Sequence, residues 1–340
     1  MSRQRTPIVL IGILMLAVAF ASVGCDKLNV KKLQANYYFN KANQLFRDAK
    51  FSKAIVEYEN ALSKNPQLME AYRFLGECYK SLYLPGKKSA DNDEKATKAL
   101  DALKKAYEME PTNKEIIYSL GDMYDKMHNF DEAEKMYLRI IDLEPGNMNN
   151  YYIVAEFYKR YAGDKGELRE KVKDMYLRRI ETDPENVQGY AYMADYYDKL
   201  PTAEGKALSE NLDKALDYHK KRLTIAPDSA EIYYTMGVNR GEKARRLPAF
   251  LTQAEKEEIG ADAEKYLLKA IELDKNLAES YAWMKILYTN VQAKIYPERE
   301  SHFLELANQY GAKWDEAKKR QVDKLKLEKE LKNTAGTTQR

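Results

Sequence analysis

Along this chain, aromatic, large apolar and small residues recur in one order at fixed distances from a proline. Counting from Pro66, Tyr72 lies six residues on, Leu75 nine, Gly76 ten and Tyr79 thirteen. Pro111 is followed at the same distances by Ile117, Leu120, Gly121 and Tyr124, and Pro145 by Tyr151, Val154, Ala155 and Tyr158. Pro184 gives Tyr190, Met193, Ala194 and Tyr197, whereas Pro227 gives Tyr233, Met236 and Gly237 and then Arg240 where a tyrosine was due. Spacings of three, one and three fall on one face of a helix with 3.6 residues per turn. Reading backward, Ala54, Ala99, Ala133, Ala215 and Ala263 each stand twelve residues before a proline or, in the last case, before Lys275. The pattern predicts helical hairpins in series. The small residue of each first helix admits a close neighbour, the aromatics fill the seam, and the proline ends the second helix.

The order Tyr72-x2-Leu75-Gly76-x2-Tyr79, then Ala99-x3-Leu103, then Pro111, resembles the tetratricopeptide repeat, with tyrosine in place of its leading tryptophan. Residues Lys114 to Asn147 match the 34-residue period without a gap. The resemblance implies an all-α solenoid of about six hairpins, with repeats near 35–68, 69–113, 114–147, 148–186, 187–229 and 230–277 and a partial seventh from 278. Each repeat buries its face against its neighbours, so no single large core is needed.

Successive anchors lie 45, 34, 39, 43 and 48 residues apart. The offsets are constant on both sides of every anchor, so the extra residues fall between the two helices of a hairpin. They occupy Ser81–Lys95, Tyr161–Leu168, Leu200–Glu210 and Gly241–Gly260, as loops or extra helical turns along one edge. Such a row is either a second recognition surface or tolerated drift.

In arrays of this family the first helices line a groove that holds peptide segments. The residues expected to face it stand four, seven, eleven and fourteen after each anchor, a second stripe beside the packing stripe. It contains Tyr118, Tyr152 and Tyr234, then four mid-helix acids in succession, Glu77, Asp122, Glu156 and Asp195, with Asp125 and Asp198 one turn on. Aromatic area with polar tips beside a row of carboxylates suits a protein partner whose segment carries Lys or Arg among apolar residues. The chaperone-binding branch of the family grips a carboxylate terminus with Lys, Asn and Arg. Only Asn43 has a counterpart here, and Glu77 and Asp122 oppose such a clamp.

Composition narrows the function further. The chain has 56 basic and 53 acidic residues, and removal of residues 1–24 leaves 54 against 53, a balance with no pull on nucleic acid. His128, His219 and His302 belong to different hairpins and lack metal spacing, and no phosphate-cradling or nucleophile motif occurs. No metal, cofactor or catalytic residue is expected. His219 reads as a core-edge histidine. Arg179 and Arg222 replace the small or apolar residue seen at Ala61, Ala106, Ile140 and Ala270, and are expected to loosen or shift packing between the middle repeats. Cys78, between Gly76 and Tyr79, reads as a small packed thiol.

At the N-terminus, Arg3 and Arg5 precede an uncharged run from Thr6 to Gly24, and then Cys25. A basic start, an apolar stretch and a small-residue junction read as an export signal. Ser22-Val23-Gly24-Cys25 resembles the bacterial lipobox, with Ser22 where leucine is usual. The resemblance implies a signal peptide over 1–24, lipid on Cys25 and a short tether over 25–34 that spans about 35 Å at most. The other reading is an uncleaved signal anchor, and both put the repeats on the outer side of a membrane of the bacterial cell envelope. Asp26 follows the cysteine, and in enterobacterial lipoproteins that residue marks inner-membrane retention. At the other end, residues 297–332 are expected to form a helical cap with Leu304, Leu306, Leu325, Leu327 and Leu331 over the last hairpin, and 333–340 a disordered tail. Together these features describe a lipid-anchored, non-enzymatic scaffold or assembly factor. The alternatives are an adaptor that recruits a cell-envelope enzyme and a lipoprotein that self-associates.

Overall fold

The computed structural model describes residues 30–163 and 165–337. The expected signal peptide and Cys25 lie outside the described residues. These residues fall into two compact units that divide at Asn150. The first contains α1 (Val30–Arg47), α2 (Phe51–Lys64), α3 (Met69–Leu82), α4 (Ala90–Met109), α5 (Lys114–Lys126) and α6 (Phe130–Leu143). The second contains nearly all of α7 (Met148–Ala162), then α8 (Gly166–Thr182), α9 (Val187–Lys199), α10 (Lys206–Ile225), α11 (Ala230–Arg246), α12 (Gln253–Leu273), α13 (Ala278–Leu287) and α14 (Glu300–Thr337). A π-helical turn, Tyr288–Gln292, and a short turn, Ala293–Ile295, continue α13. Consecutive helices pack on one another as hairpins in series, from α1 to α6 in the first unit and from α8 to α14 in the second. The fold is an all-α solenoid of helical hairpins with a long helix at its C-terminal end.

The proline ruler acts through the residue before it. Asn65, Glu110, Glu144, Asp183 and Ala226 all have φ between −142° and −128° with ψ between 70° and 90°. A following proline forces that extended conformation and so stops the helix. Asp274 has the same geometry, φ −139° and ψ 100°, although Lys275 follows it. There the tertiary packing reproduces the turn without the ring. After two of these turns the next helix starts on a side-chain cap, where Asn113 and Ser229 accept from the backbone N–H three residues on.

The close approach expected of the small residue is present. A Cβ placed on Gly76 would stand 2.5 Å from Leu103 Cγ, and one on Gly237 2.6 Å from Leu267 Cγ. Cys78 is fully buried, and burial pushes its thiol up to about 12, as for an unreactive packed group.

The extra residues of the expanded hairpins go largely into helix. The second helices α4, α8, α10 and α12 run for 20, 17, 20 and 21 residues, against 14 for α2 and α6. The first expanded turn is tied down as well. Buried Asn92 accepts from Leu84 N at 2.9 Å, and its Nδ2 donates to the carbonyls of Leu84 and Lys87 at 2.9 and 2.8 Å.

Three expectations need correction at the ends. Val30 to Gln34, read as tether, belongs to α1, and Asn333 to Thr337, read as tail, belongs to α14. No proline or glycine interrupts either stretch before Gly336, so the adjacent helix continues through it. The cap over the last hairpin is made by Phe303, the expected Leu306, Ala307, Tyr310 and Ala317, which pack on α13 and its π turn, while Leu304, Leu325 and Leu327 are exposed. Spacing of four, three and seven keeps Phe303, Ala307, Tyr310 and Ala317 on one face, which Leu304, Leu325 and Leu327 do not share.

Candidate partner-binding groove

In the first unit the stripe centres on Lys80, the last basic residue of α3. It reaches Glu77 Oε2 at 3.0 Å on its own helix and Asp122 Oδ2 at 2.9 Å on α5. Lys80 is only 9% exposed. Burial pulls its ammonium pKa down, and the two carboxylates outweigh that, so the net shift is upward. Two of the four acids expected to attract a partner's cations are thus joined through a cation of the protein itself. Asp125 is buried. Tyr118 is 44% exposed, with its ring 6.0 Å from that of Tyr137.

In the second unit Tyr152 and Tyr192 stack at 4.9 Å, and Tyr176 stacks on Tyr192 at 5.3 Å. The Arg179 guanidinium lies 4.8 Å from the centre of the same Tyr192 ring. Glu156 accepts from Lys159 at 3.2 Å and from the Tyr176 hydroxyl at 3.4 Å. Burial, helped by that carboxylate, pushes the Tyr176 phenol well above its ordinary range. Asp195 pairs with Lys199 at 2.5 Å. Val172, Tyr176, Tyr196, Leu200 and Pro201 line a cavity of about 280 Å³ beside this pair. Tyr234 is half-buried against the last core, and burial raises its phenol, helped by Glu279.

Asp198 belongs to an internal network. It accepts from Asn239 Nδ2 at 2.7 Å and lies 3.2 Å from His219 Nε2. The other ring nitrogen, Nδ1, is 3.1 Å from Arg222 Nη1, so it accepts and the Nε2–H donates to Asp198. Arg222 Nη2 closes on Glu231 at 2.8 Å. Arg240, in the place of the missing tyrosine, donates to Asp213 at 2.9 Å beside Lys243 at 2.6 Å. Burial alone would raise the Asp213 carboxyl, but hydrogen bonds from Lys243 and Arg240 hold it below the usual range. Arg222 therefore ties its hairpin to the next one, so of the two expected effects, loosening or shifting the packing, loosening does not hold for it.

Sequence reasoning omitted the position eight after each anchor, which holds Phe74, Tyr192 and Trp283. Phe74 stacks on Tyr58 at 5.9 Å, and Arg73 lies 4.1 Å over its ring. The eighth residue neighbours both the fourth and the eleventh on a helix surface, so its aromatic recurrence was a readable signal.

Residues 93–154 match the tetratricopeptide repeat family. Over that stretch the chain carries a tetratricopeptide-repeat match. The C-terminal part of a TPR repeat-containing protein from Cytophaga hutchinsonii is similar at a TM-score of 0.53 and 14% identity, over 84% of this chain and 98% of that one. The MamA protein is similar at a TM-score of 0.42 and 22% identity, over 58% and 94%. YrrB, a TPR protein with an unusual peptide-binding site, is similar at 0.37 and 16%, over 66% and 95%. At these identities the likeness is one of fold. Comparison with curated proteins finds no match.

Proposed function

We propose that this tetratricopeptide-repeat chain is a non-enzymatic scaffold that holds polypeptide segments of a partner along its first-helix stripe. In this reading lipid on Cys25 tethers it to a membrane of the bacterial cell envelope, with the repeats on the outer or periplasmic side. Among the described residues no helix is long and apolar enough to cross a membrane, so the tether rests on the N-terminal sequence. The observation that carries the binding role is the stripe of tyrosines left beside the packing face. Tyr118 remains 44% exposed in the first unit, and Tyr152 and Tyr192 form a half-buried stack in the second. Rigid aromatic area of this kind binds apolar side chains at little cost in entropy.

The acids play a narrower role than free carboxylates would. Glu77 and Asp122 are clamped by a buried lysine, whereas Lys159 and Lys199 are 54% and 73% exposed over Glu156 and Asp195. A partner's Lys or Arg exchanges with those two lysines at little cost, because exposed pairs contribute little. The test is copurification of partner from solubilised membranes with wild type, with Tyr118→Ala/Tyr152→Ala and with Glu156→Lys/Asp195→Lys. Loss of partner with unchanged helicity is expected of both variants. Full retention by the tyrosine variant overturns the proposal.

A further inference from the structure

We propose that Arg179 is a docking position for a carboxylate of the bound segment, supplied by an Asp or Glu side chain or a chain terminus. This rests on the scaffold reading above and assigns the partner's chemistry at one point of it.

The inference comes from two hairpins of the second unit that place an arginine at the same register. Arg179 and Arg222 each stand five residues before their proline. Around Arg222 both terminal guanidinium nitrogens are provided for, and only its Nε is sealed without a partner. Its Nη2 donates to Glu231 at 2.8 Å, and its Nη1 lies 3.1 Å from His219 Nδ1 and 3.4 Å from Thr235 Oγ1. Around Arg179 the three corresponding residues are Gln188, Tyr176 and Tyr192. Arg179 is 5% exposed, and its Nε and Nη1 are sealed with no hydrogen-bond partner. Stacking on Tyr192 covers a face of the guanidinium and leaves its in-plane N–H groups unanswered. A buried cation without a counter-ion is costly, and a carboxylate removes that cost with a charge-assisted bond.

The direction of approach follows from the same comparison. Arg222 takes Glu231 through Nη2, and that glutamate side chain is 69% exposed, so it comes in from the solvent side. Nη2 is also the Arg179 nitrogen that is not sealed. The place held by Glu231 in one hairpin is therefore open to an outside carboxylate in the other, where Gln188 is exposed and carries no charge. The neighbouring Tyr152–Tyr192 stack favours an apolar or aromatic residue beside that acid. Arg179 lies on a second helix, away from the first-helix clamp of the chaperone-binding branch.

The internal test supplies the missing acid. Gln188→Glu is expected to raise the melting temperature of the full chain by about 2–4 °C. The rise should vanish when Arg179→Met is added. The external test titrates the full chain, labelled with 15N-arginine, with N-acetylglutamate methylamide and with its glutamine counterpart. The Arg179 side-chain signal should move with the glutamate compound, roughly tenfold more weakly with the glutamine one, and not at all in Gln188→Glu. No thermal gain from Gln188→Glu, or an equal response to both compounds, overturns the proposal. So does a shift produced by inorganic phosphate alone. A silent Arg179 in a chain that still copurifies its partner sinks this site and leaves the scaffold reading standing. A responding Arg179 with no partner does the reverse.

Discussion

Lys80→Met removes the cation that joins α3 to α5 and, in the same step, frees two carboxylates of the stripe. The Lys80 side chain is 10% exposed, and its ammonium makes bonds of 3.0 and 2.9 Å to Glu77 and Asp122, whose side chains are 18% and 29% exposed. Charge-assisted hydrogen bonds contribute about 1.5–3 kcal/mol each before the desolvation of the lysine is set against them. The net coupling between Lys80 and Asp122 should then be about 1–2 kcal/mol, above the value for an exposed surface pair. A double-mutant cycle of Lys80→Met and Asp122→Asn, read by urea unfolding of the full chain, isolates it. The sign with pH is fixed by the upward shift of Lys80 from 10.5. Its contribution is complete below that ordinary value and is lost as the pH rises through the higher folded one. The methionine variant, with Glu77 and Asp122 unpaired, should also bind a Lys-bearing peptide more tightly than wild type. A coupling below about 0.3 kcal/mol, the level of a solvated pair, refutes the reasoning.

Gly76→Ala puts a methyl group 2.5 Å from Leu103 Cγ and 3.2 Å from the Ala99 carbonyl oxygen. It should cost about 1–3 kcal/mol in urea unfolding. Gly146→Ala, where nothing lies within 4 Å, should be neutral and serves as control. Asp213→Asn should lower the urea midpoint at neutral pH, with the gap closing as the pH falls below 3.8. The Asp213 carboxyl is held under that value by Lys243 and Arg240, so its contribution is present above it and lost through the folded value. Cys25→Ser should move the chain from the membrane to the soluble fraction. Retention in the membrane without cleavage would favour the signal-anchor reading.

Much of the fold was legible because proline and the residue before it act locally. The shared extended conformation of Asn65, Glu110, Glu144, Asp183 and Ala226 needs nothing beyond the ring that follows each of them. The cap over the last hairpin was legible only in part: Leu306 packs there, but Phe303, Ala307 and Ala317 hold the rest of the face and Leu304, Leu325 and Leu327 lie off it. The stripe was legible as a set of positions, but its charge was not. Lys80 and Asp122 stand 42 residues apart in sequence and meet only through the packing of two hairpins. Likewise, Arg222 and Arg179 look alike in sequence. Only the fold reveals that one has Glu231 at hand and the other only Gln188 at the same register.

The central claim is that the first-helix stripe is where a partner lies. A photo-crosslinking amino acid placed at Tyr118 and at Tyr152, and for comparison at the outward Lys135 and Asp217, tests it in native membranes by mass spectrometry of the adducts. The account predicts one partner polypeptide joined at Tyr118 and Tyr152 and absent from Lys135 and Asp217. Adducts of equal yield at all four positions, or confined to the outward pair, would contradict it.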